Sequence, residues 1–155
     1  MKAFLSLIVM FMLTMTFAWM PGADARAAQP EINVARYSKL AIHGHDPVAY
    51  FKSGAPVEGK AEFTLTYKGA QWLFASAAHR DLFEANPENY APQYGGHCAY
   101  AASRGYFADV DPLAWRVLNG KLYLNYNAQV KRKWENDLEG NIVKADNNWP
   151  KMLAQ

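Results

Sequence analysis

Two dipeptide turn signals, Lys68-Gly69 and Asn119-Gly120, constrain the fold of this chain more than any other feature of its sequence. Segments with strand-like patterns flank both turns: residues 62–67 and 71–74 around the first, and residues 115–118 and 122–125 around the second. Polar and apolar residues alternate in the first segment, as in a half-buried strand, and Asn-Gly favours a tight turn. The sequence therefore predicts two β-hairpins.

Helical patterns follow both hairpins. Ser76 is a typical N-cap for a helix over residues 77–85. An apolar stripe with helical spacing over residues 130–138 predicts a second helix, which Gly140 is expected to end. No internal repeat and no low-complexity segment is visible. Together these patterns predict an α+β fold, a small single domain with two β-hairpins and several short helices.

The first 25 residues have the three parts of a secretory signal peptide. A positive start precedes an apolar run over residues 3–20, and Ala23-Asp24-Ala25 supplies the small residues of a cleavage site. Cleavage after Ala27 is one alternative, and a retained anchor is another, because the run is almost long enough to span a bilayer. We expect a signal peptide over residues 1–25 and one domain over residues 26–155. The protein would be periplasmic or secreted, and would meet a membrane only through an uncleaved signal peptide.

Size and charge limit the functions open to the predicted mature chain. Cleavage after Ala25 leaves 130 of the 155 residues, which is enough for one domain to bury a core without disulfides. The full chain has 16 Lys and Arg against 14 Asp and Glu. The charges do not resemble the clustered basic face of a nucleic-acid-binding protein. No nucleic-acid partner is expected.

All four histidines and the single cysteine lie between residues 43 and 98. Imidazole and thiolate are preferred ligands of zinc and copper, so this clustering predicts a metal site. The candidate metal ligands are His43, His45, His79, His97 and Cys98. The candidate supporting or pocket residues are Asp46, Tyr50, Tyr67 and Ser76, of which Asp46 and Tyr50 would orient a histidine ring. No standard ligand spacing links the candidates, so copper and zinc both stay open.

Cys98 has several open interpretations, because a single cysteine cannot form a disulfide within its own chain. It is a buried apolar residue, a reactive thiol, a metal ligand or half of an intermolecular disulfide. A nucleophile pair with the adjacent His97 is disfavoured, since neighbours in sequence rarely face each other. No catalytic residue is assigned, and an enzyme is the less favoured class.

The order and spacing of several short motifs resemble the YHS domain family. These motifs are Asp46-Pro47-Val48, Tyr67-x-Gly69, Phe74-x-Ser76 with His79 and Phe83, and Asn86-Pro87-x-x-Tyr90. The stretch over residues 94–125 looks like the extended, exported members of that family. The resemblance covers nearly the whole predicted mature chain.

The resemblance implies a domain that binds soft metals through cysteines. The family pattern has cysteines at three positions where this chain has Ala49, Ala75 and His79. Alanine cannot coordinate a metal, so the cysteine site of the family is absent here. His79 matches a ligand position of the family and is a candidate imidazole ligand.

Three functions stay open. The favoured one is an exported YHS-like binding module that handles a soft or borderline transition metal, copper or zinc, with a metal transporter or an acceptor protein as partner. The first alternative is a metal-free module that binds a small molecule or a protein through its aromatic residues. The second is a thiol-dependent enzyme that uses Cys98.

Overall fold

The computed structural model describes residues 30–155, so the predicted signal peptide and both cleavage sites lie outside the described residues. Five α-helices and four strands follow one another as α1 (Ala49–Lys52), β1 (Lys60–Tyr67), β2 (Ala70–Phe74), α2 (Ala77–Ala85), α3 (Ala99–Ser103), β3 (Asp111–Leu118), β4 (Lys121–Asn125), α4 (Ala128–Glu135) and α5 (Leu138–Leu153). None of the helices within residues 30–155 is long and apolar enough to cross a membrane.

Both predicted hairpins are present. β1 pairs with β2, and β3 pairs with β4, each pair antiparallel. The central turn residues have positive φ angles, 49° and 75° at Lys68 and Gly69 and 51° and 73° at Asn119 and Gly120. Positive φ at both central residues gives the tight turn whose twist matches that of the strands. The local turn residues therefore determine where both hairpins form.

The helix after each hairpin begins at a capping side chain. Ser76 Oγ accepts a hydrogen bond from His79 N at 3.2 Å, and Asn127 Oδ1 accepts one from Val130 N at 2.9 Å. Each bond satisfies a backbone N–H that has no partner within the first helical turn. The helix predicted over residues 77–85 is confirmed as α2.

The prediction that Gly140 ends the second helix is wrong. α4 ends at Glu135, and Gly140 lies in the first turn of α5. Asp137 caps α5 by accepting a 3.1 Å hydrogen bond from Gly140 N, and a Cβ at residue 140 would overlap that carboxylate. The glycine permits close approach of the cap and does not stop a helix.

The two hairpins share one hydrophobic core. Trp72 and Phe74 of the first hairpin belong to the same buried cluster as Leu122 and Leu124 of the second. A second cluster joins Trp134 of α4 to Ala145 and Met152 of α5. The small single-domain α+β fold predicted from the sequence is confirmed.

The succession of short helix, hairpin and helix occurs twice in the described part of the chain. α1, β1, β2 and α2 form a first unit, and α3, β3, β4 and α4 form a second. The strands have the same lengths in both units, 8 and 5 residues. The order of elements and the strand lengths therefore recur, although no internal repeat is visible in the sequence.

Candidate functional site

Asp46 is a fully buried carboxylate that links α1 to the first hairpin. Its Oδ1 accepts hydrogen bonds from Val48 N at 2.8 Å and Ala49 N at 3.3 Å, at the start of α1. Its Oδ2 accepts one from Ala75 N at 2.9 Å, directly after β2. A buried carboxylate needs such donors, since its lone pairs have lost water. Asp46 is therefore held rigidly, with 0% of the residue exposed.

His79 is the fourth partner of Asp46. Its Nδ1 lies 2.5 Å from Asp46 Oδ2. Because a carboxylate only accepts hydrogen bonds, the contact places a ring proton on Nδ1. Nε2 of the neutral ring then carries a lone pair, and 20% of the side chain is exposed to solvent. A histidine oriented in this way by a carboxylate is the arrangement of a metal ligand or a proton acceptor.

His43 has a different partner, at the surface of the molecule. Its Nε2 lies 2.8 Å from Asp109 Oδ1, which also accepts a 2.9 Å hydrogen bond from Asn33 Nδ2. Burial opposes ionisation of Asp109, but the hydrogen bonds from His43, Asn33 and Val110 N outweigh it and hold the pKa of Asp109 below its usual value. Nothing in the sequence pointed to Asp109, which is 66 residues from His43.

The remaining histidines turn a nitrogen into the interior. Nδ1 of His45 and Nδ1 of His97 are buried and have no hydrogen-bond partner within residues 30–155. His97 Nε2 donates to the Pro30 carbonyl at 3.2 Å, and its ring packs on Phe107 with centroids 4.8 Å apart. Burial lowers the pKa of His97, and the hydrogen bond to Pro30 offsets this only in part. His97 is thus a covered, neutral ring.

Cys98 lies in the core, with 1% of the residue exposed. Its Sγ is 3.8 Å from Asn125 Oδ1, which is itself buried. Burial raises the pKa of the Cys98 thiol, which keeps the sulfur protonated and weakly nucleophilic. Both properties argue against a thiol-dependent enzyme.

The predicted ligands lie in separate surroundings. No group of three or more His, Cys, Asp or Glu side chains that could hold a metal ion occurs within residues 30–155. His79 has Asp46, His43 has Asp109 and His97 has the Pro30 carbonyl as partner. A metal centre built from all five candidates stays a prediction, without a matching cluster in the described part of the chain.

Two of the four predicted supporting residues lie at the site of His79. Asp46 contacts its ring, and Ser76 caps the helix that carries it. The other two have different partners: Tyr50 donates to the Pro112 carbonyl at 3.0 Å, and Tyr67 donates to Glu88 Oε1 at 2.5 Å.

A surface cleft of about 240 Å³ is a feature that the sequence did not indicate. On one side Lys68 Nζ lies 2.7 Å from Glu31 Oε1, and on another the Tyr94 hydroxyl donates to Asp146 Oδ1 at 2.9 Å. Trp149 of α5 adds an aromatic wall. The lining residues come from segments far apart in sequence, so only the fold brings them together. The cleft has the size for a small polar molecule.

Comparison with known proteins relates part of this chain to a known family. The family model described as the YHS domain matches residues 48–94. Neither the curated proteins nor the solved structures contain a match. The matched segment contains the first hairpin and α2, and therefore His79, and it begins two residues after Asp46. Residues 48–94 of this chain are a YHS domain.

Proposed function

We propose that this protein is an exported binding module that takes a transition metal, copper or zinc, on Nε2 of His79. The YHS domain is associated with metal handling, and His79 lies within the matched segment. Both metals accept imidazole as a ligand. Asp46 is the positioning residue, because it holds the ring and keeps the proton on Nδ1.

The observation that carries this proposal is the fully buried Asp46 carboxylate on the ring of His79. A histidine that merely filled space would not need a carboxylate with three backbone donors behind it. Outer carboxylates of this kind raise the basicity of a ligating imidazole and fix its direction. The described residues thus supply one well-oriented ligand, on a side chain that is partly exposed.

One imidazole does not complete the coordination of zinc, which takes four ligands in structural sites, or of copper, whose protein sites combine several ligands. The remaining ligands therefore come from the molecule that brings the metal or removes it. A metal transporter or an acceptor protein is the partner with that chemistry. His79 would bind the metal transiently during transfer, so the metal is a transported substrate and not a resident cofactor.

The test uses a metal complex that has open positions, because such a complex imitates a metal still held by a partner. Residues 26–155 without a tag are titrated with Cu(II) iminodiacetate and Zn(II) iminodiacetate. We expect one tight equivalent, which His79→Ala abolishes. Asp46→Asn is expected to weaken binding by roughly 10- to 100-fold, as for other carboxylates behind a ligating histidine.

His43→Ala is the matched control, because His43 also rests on a carboxylate, 2.8 Å away, but at the surface. It should leave the tight equivalent unchanged. Binding that survives His79→Ala, or equal losses in the His43 and His79 variants, would overturn the proposal.

A second candidate function is a metal-free module that binds a small cationic molecule in the cleft. Its support is the charge of the lining, in which Glu31, Glu88 and Asp146 outnumber Lys68. Titration with 1,4-diaminobutane should quench the fluorescence of Trp149, and Asp146→Asn should weaken that response. The exposed Asp81 is the control for loss of one negative charge, through Asp81→Asn. Equal responses in both variants, or none in the parent, would exclude this candidate.

A further inference from the structure

The two units of the fold begin with the same unusual backbone. Ile42 and His43 have φ angles of 48° and 50°, and Tyr94 and Gly95 have 55° and 58°. A glycine with φ near 80° follows in both cases, at residues 44 and 96. Left-handed residues in succession are uncommon, and a β-branched one is an outlier. Two such turns at corresponding places indicate one unit present twice.

Each left-handed turn leads into a histidine with the same contacts. His45 N donates to Ile42 O at 3.0 Å, and His97 N donates to Tyr94 O at 2.9 Å. Both rings also turn a buried Nδ1 into the interior without a partner in the described residues. The two histidines occupy equivalent positions.

The next residues in each unit, Asp46 and Cys98, are equivalent as well. Asp46 N donates to Val57 O at 2.8 Å, and Cys98 N donates to Ala108 O at 3.0 Å. The carboxylate of Asp46 accepts from the N–H groups of Val48, Ala49 and Ala75. The corresponding N–H groups, those of Tyr100, Ala101 and Tyr126, lower the pKa of the Cys98 thiol against the larger effect of burial, and Tyr100 N itself donates to Asn125 Oδ1 at 3.3 Å. The Cys98 thiol therefore lies in the cradle that holds a carboxylate in the first unit.

The hairpins agree residue by residue, with a separation of 51 positions. Lys60 pairs with Phe74 as Asp111 pairs with Asn125, and in both hairpins the register is interrupted after that first pair. The helix caps keep the same separation, since Ser76 corresponds to Asn127.

This correspondence identifies the second-unit counterpart of His79. The cap of α2 accepts from His79 N, and the cap of α4 accepts from Val130 N, 51 residues later. The buried aromatic residue one turn further on is Phe83 in α2 and Trp134 in α4. Where the first unit has a carboxylate and an imidazole, the second has Cys98 and Val130.

We propose that residues 42–85 and 94–136 are two copies of one unit, and that Cys98 and Val130 occupy a disabled copy of the Asp46–His79 site. The first copy has the pair that orients an imidazole. The second has the same backbone arrangement but lacks both side chains that the site needs. The metal-binding part of this inference rests on the proposed function of His79, whereas the equivalence of the two sites does not.

The double variant Cys98→Asp/Val130→His in residues 26–155 tests the restored pair. We expect one slowly exchanging ring proton in NMR spectra of the parent, from the Asp46–His79 pair, and two in spectra of the double variant. We also expect a second equivalent of bound Cu(II) iminodiacetate. Cys98→Asp alone should unfold at a lower denaturant concentration than the double variant, because its carboxylate then lacks the imidazole partner. Absence of the second ring proton in a folded double variant would overturn the equivalence.

The reciprocal double variant Asp46→Cys/His79→Val keeps the inference testable if the restored pair fails to fold. It gives the first unit the side chains of the second, and we expect it to unfold at a higher denaturant concentration than Asp46→Cys alone. A double variant no more stable than that single variant would contradict the equivalence. If the parent protein binds no metal complex, the proposed function fails, but the ring proton and these unfolding midpoints still decide the repeat.

Discussion

His97 shows at the scale of one residue how burial makes stability depend on pH. Its ring is covered by Phe107 and Trp149, with centroids 4.8 Å and 5.9 Å away. Burial holds the pKa of His97 below its ordinary value of 6.5. As pH falls below about 6.5, the unfolded chain therefore binds a proton before the folded chain does. The free energy of unfolding should decrease from that pH downwards and level off below the lower, folded pKa.

Urea unfolding between pH 8 and pH 5 measures this decrease. His97→Gln keeps an N–H group near the Pro30 carbonyl but removes the titrating ring. The part of the pH dependence of the free energy of unfolding that comes from His97 should therefore disappear. His43→Gln, at the surface, is the control for loss of a histidine. If the free energy of unfolding has the same pH dependence in the parent and in His97→Gln, His97 is not the cause of the decrease at low pH.

Loss of one carboxylate oxygen of Asp46 should destabilise the folded protein. In Asp46→Asn, an NH₂ group would replace one carboxylate oxygen. That NH₂ group would face the backbone N–H of Ala75 or of Val48, so two hydrogen-bond donors would meet without an acceptor. A buried donor left without an acceptor costs about 1–3 kcal/mol, and a hydrogen bond to a charged group contributes about 1.5–3 kcal/mol. We therefore expect the free energy of unfolding to fall by about 3 kcal/mol in urea titrations. Asp81→Asn, exposed, should change it by less than about 1 kcal/mol.

At the scale of elements, the caps of α2 and α4 should make similar contributions to stability. Each accepts one hydrogen bond from the backbone N–H three residues later, at 3.2 Å and 2.9 Å. Removing such a cap costs about 1 kcal/mol. Ser76→Ala and Asn127→Ala should each lower the free energy of unfolding by about that amount in thermal and urea unfolding. Asn147→Ala, exposed within α5, should be neutral or stabilising, and an equal loss there would show that the effect is not capping.

Elements were predictable from the sequence where local chemistry decides them. Asn119-Gly120 adopts its turn because of its own backbone preferences, and Ser76 caps α2 because its partner is three residues away. Gly140 was misread, because a glycine that admits a cap and a glycine that ends a helix look alike in sequence. The proposed repeat was not predictable from the sequence, because backbone angles and strand register carry it while the side chains of the two units differ.

The residues of the candidate site could be named from the sequence, but the contacts between them could not. His79 and Asp46 could both be named as candidates from residue type and from the family pattern. Their contact spans 33 residues and depends on the fold bringing α2 close to the segment that precedes α1. His43 and His97 were equally good candidates in sequence, but their partners, Asp109 and Pro30, lie 66 and 67 residues away. No local pattern reports such distances.

At the scale of the whole molecule, the shared core joins the two units into one cooperative structure. Buried side chains from both hairpins form a single cluster, and Cys98 lies within it. Opening one unit would expose apolar surface of the other, so partial unfolding is costly. The thiol of Cys98 is therefore a probe of global unfolding.

The reaction of Cys98 with a thiol-specific disulfide reagent should follow the unfolding equilibrium. The sulfur is inaccessible in the folded state, and burial raises the pKa of its thiol, so the folded protein holds little reactive thiolate. The labelling rate should rise with urea concentration with the same dependence as the unfolded fraction measured by circular dichroism. The double variant Cys98→Ser/Ser53→Cys places a thiol at an exposed position and should react at once without urea. Rapid labelling of the parent under native conditions would mean that the second unit opens separately, and that the core shared by the two hairpins does not hold them together as one domain.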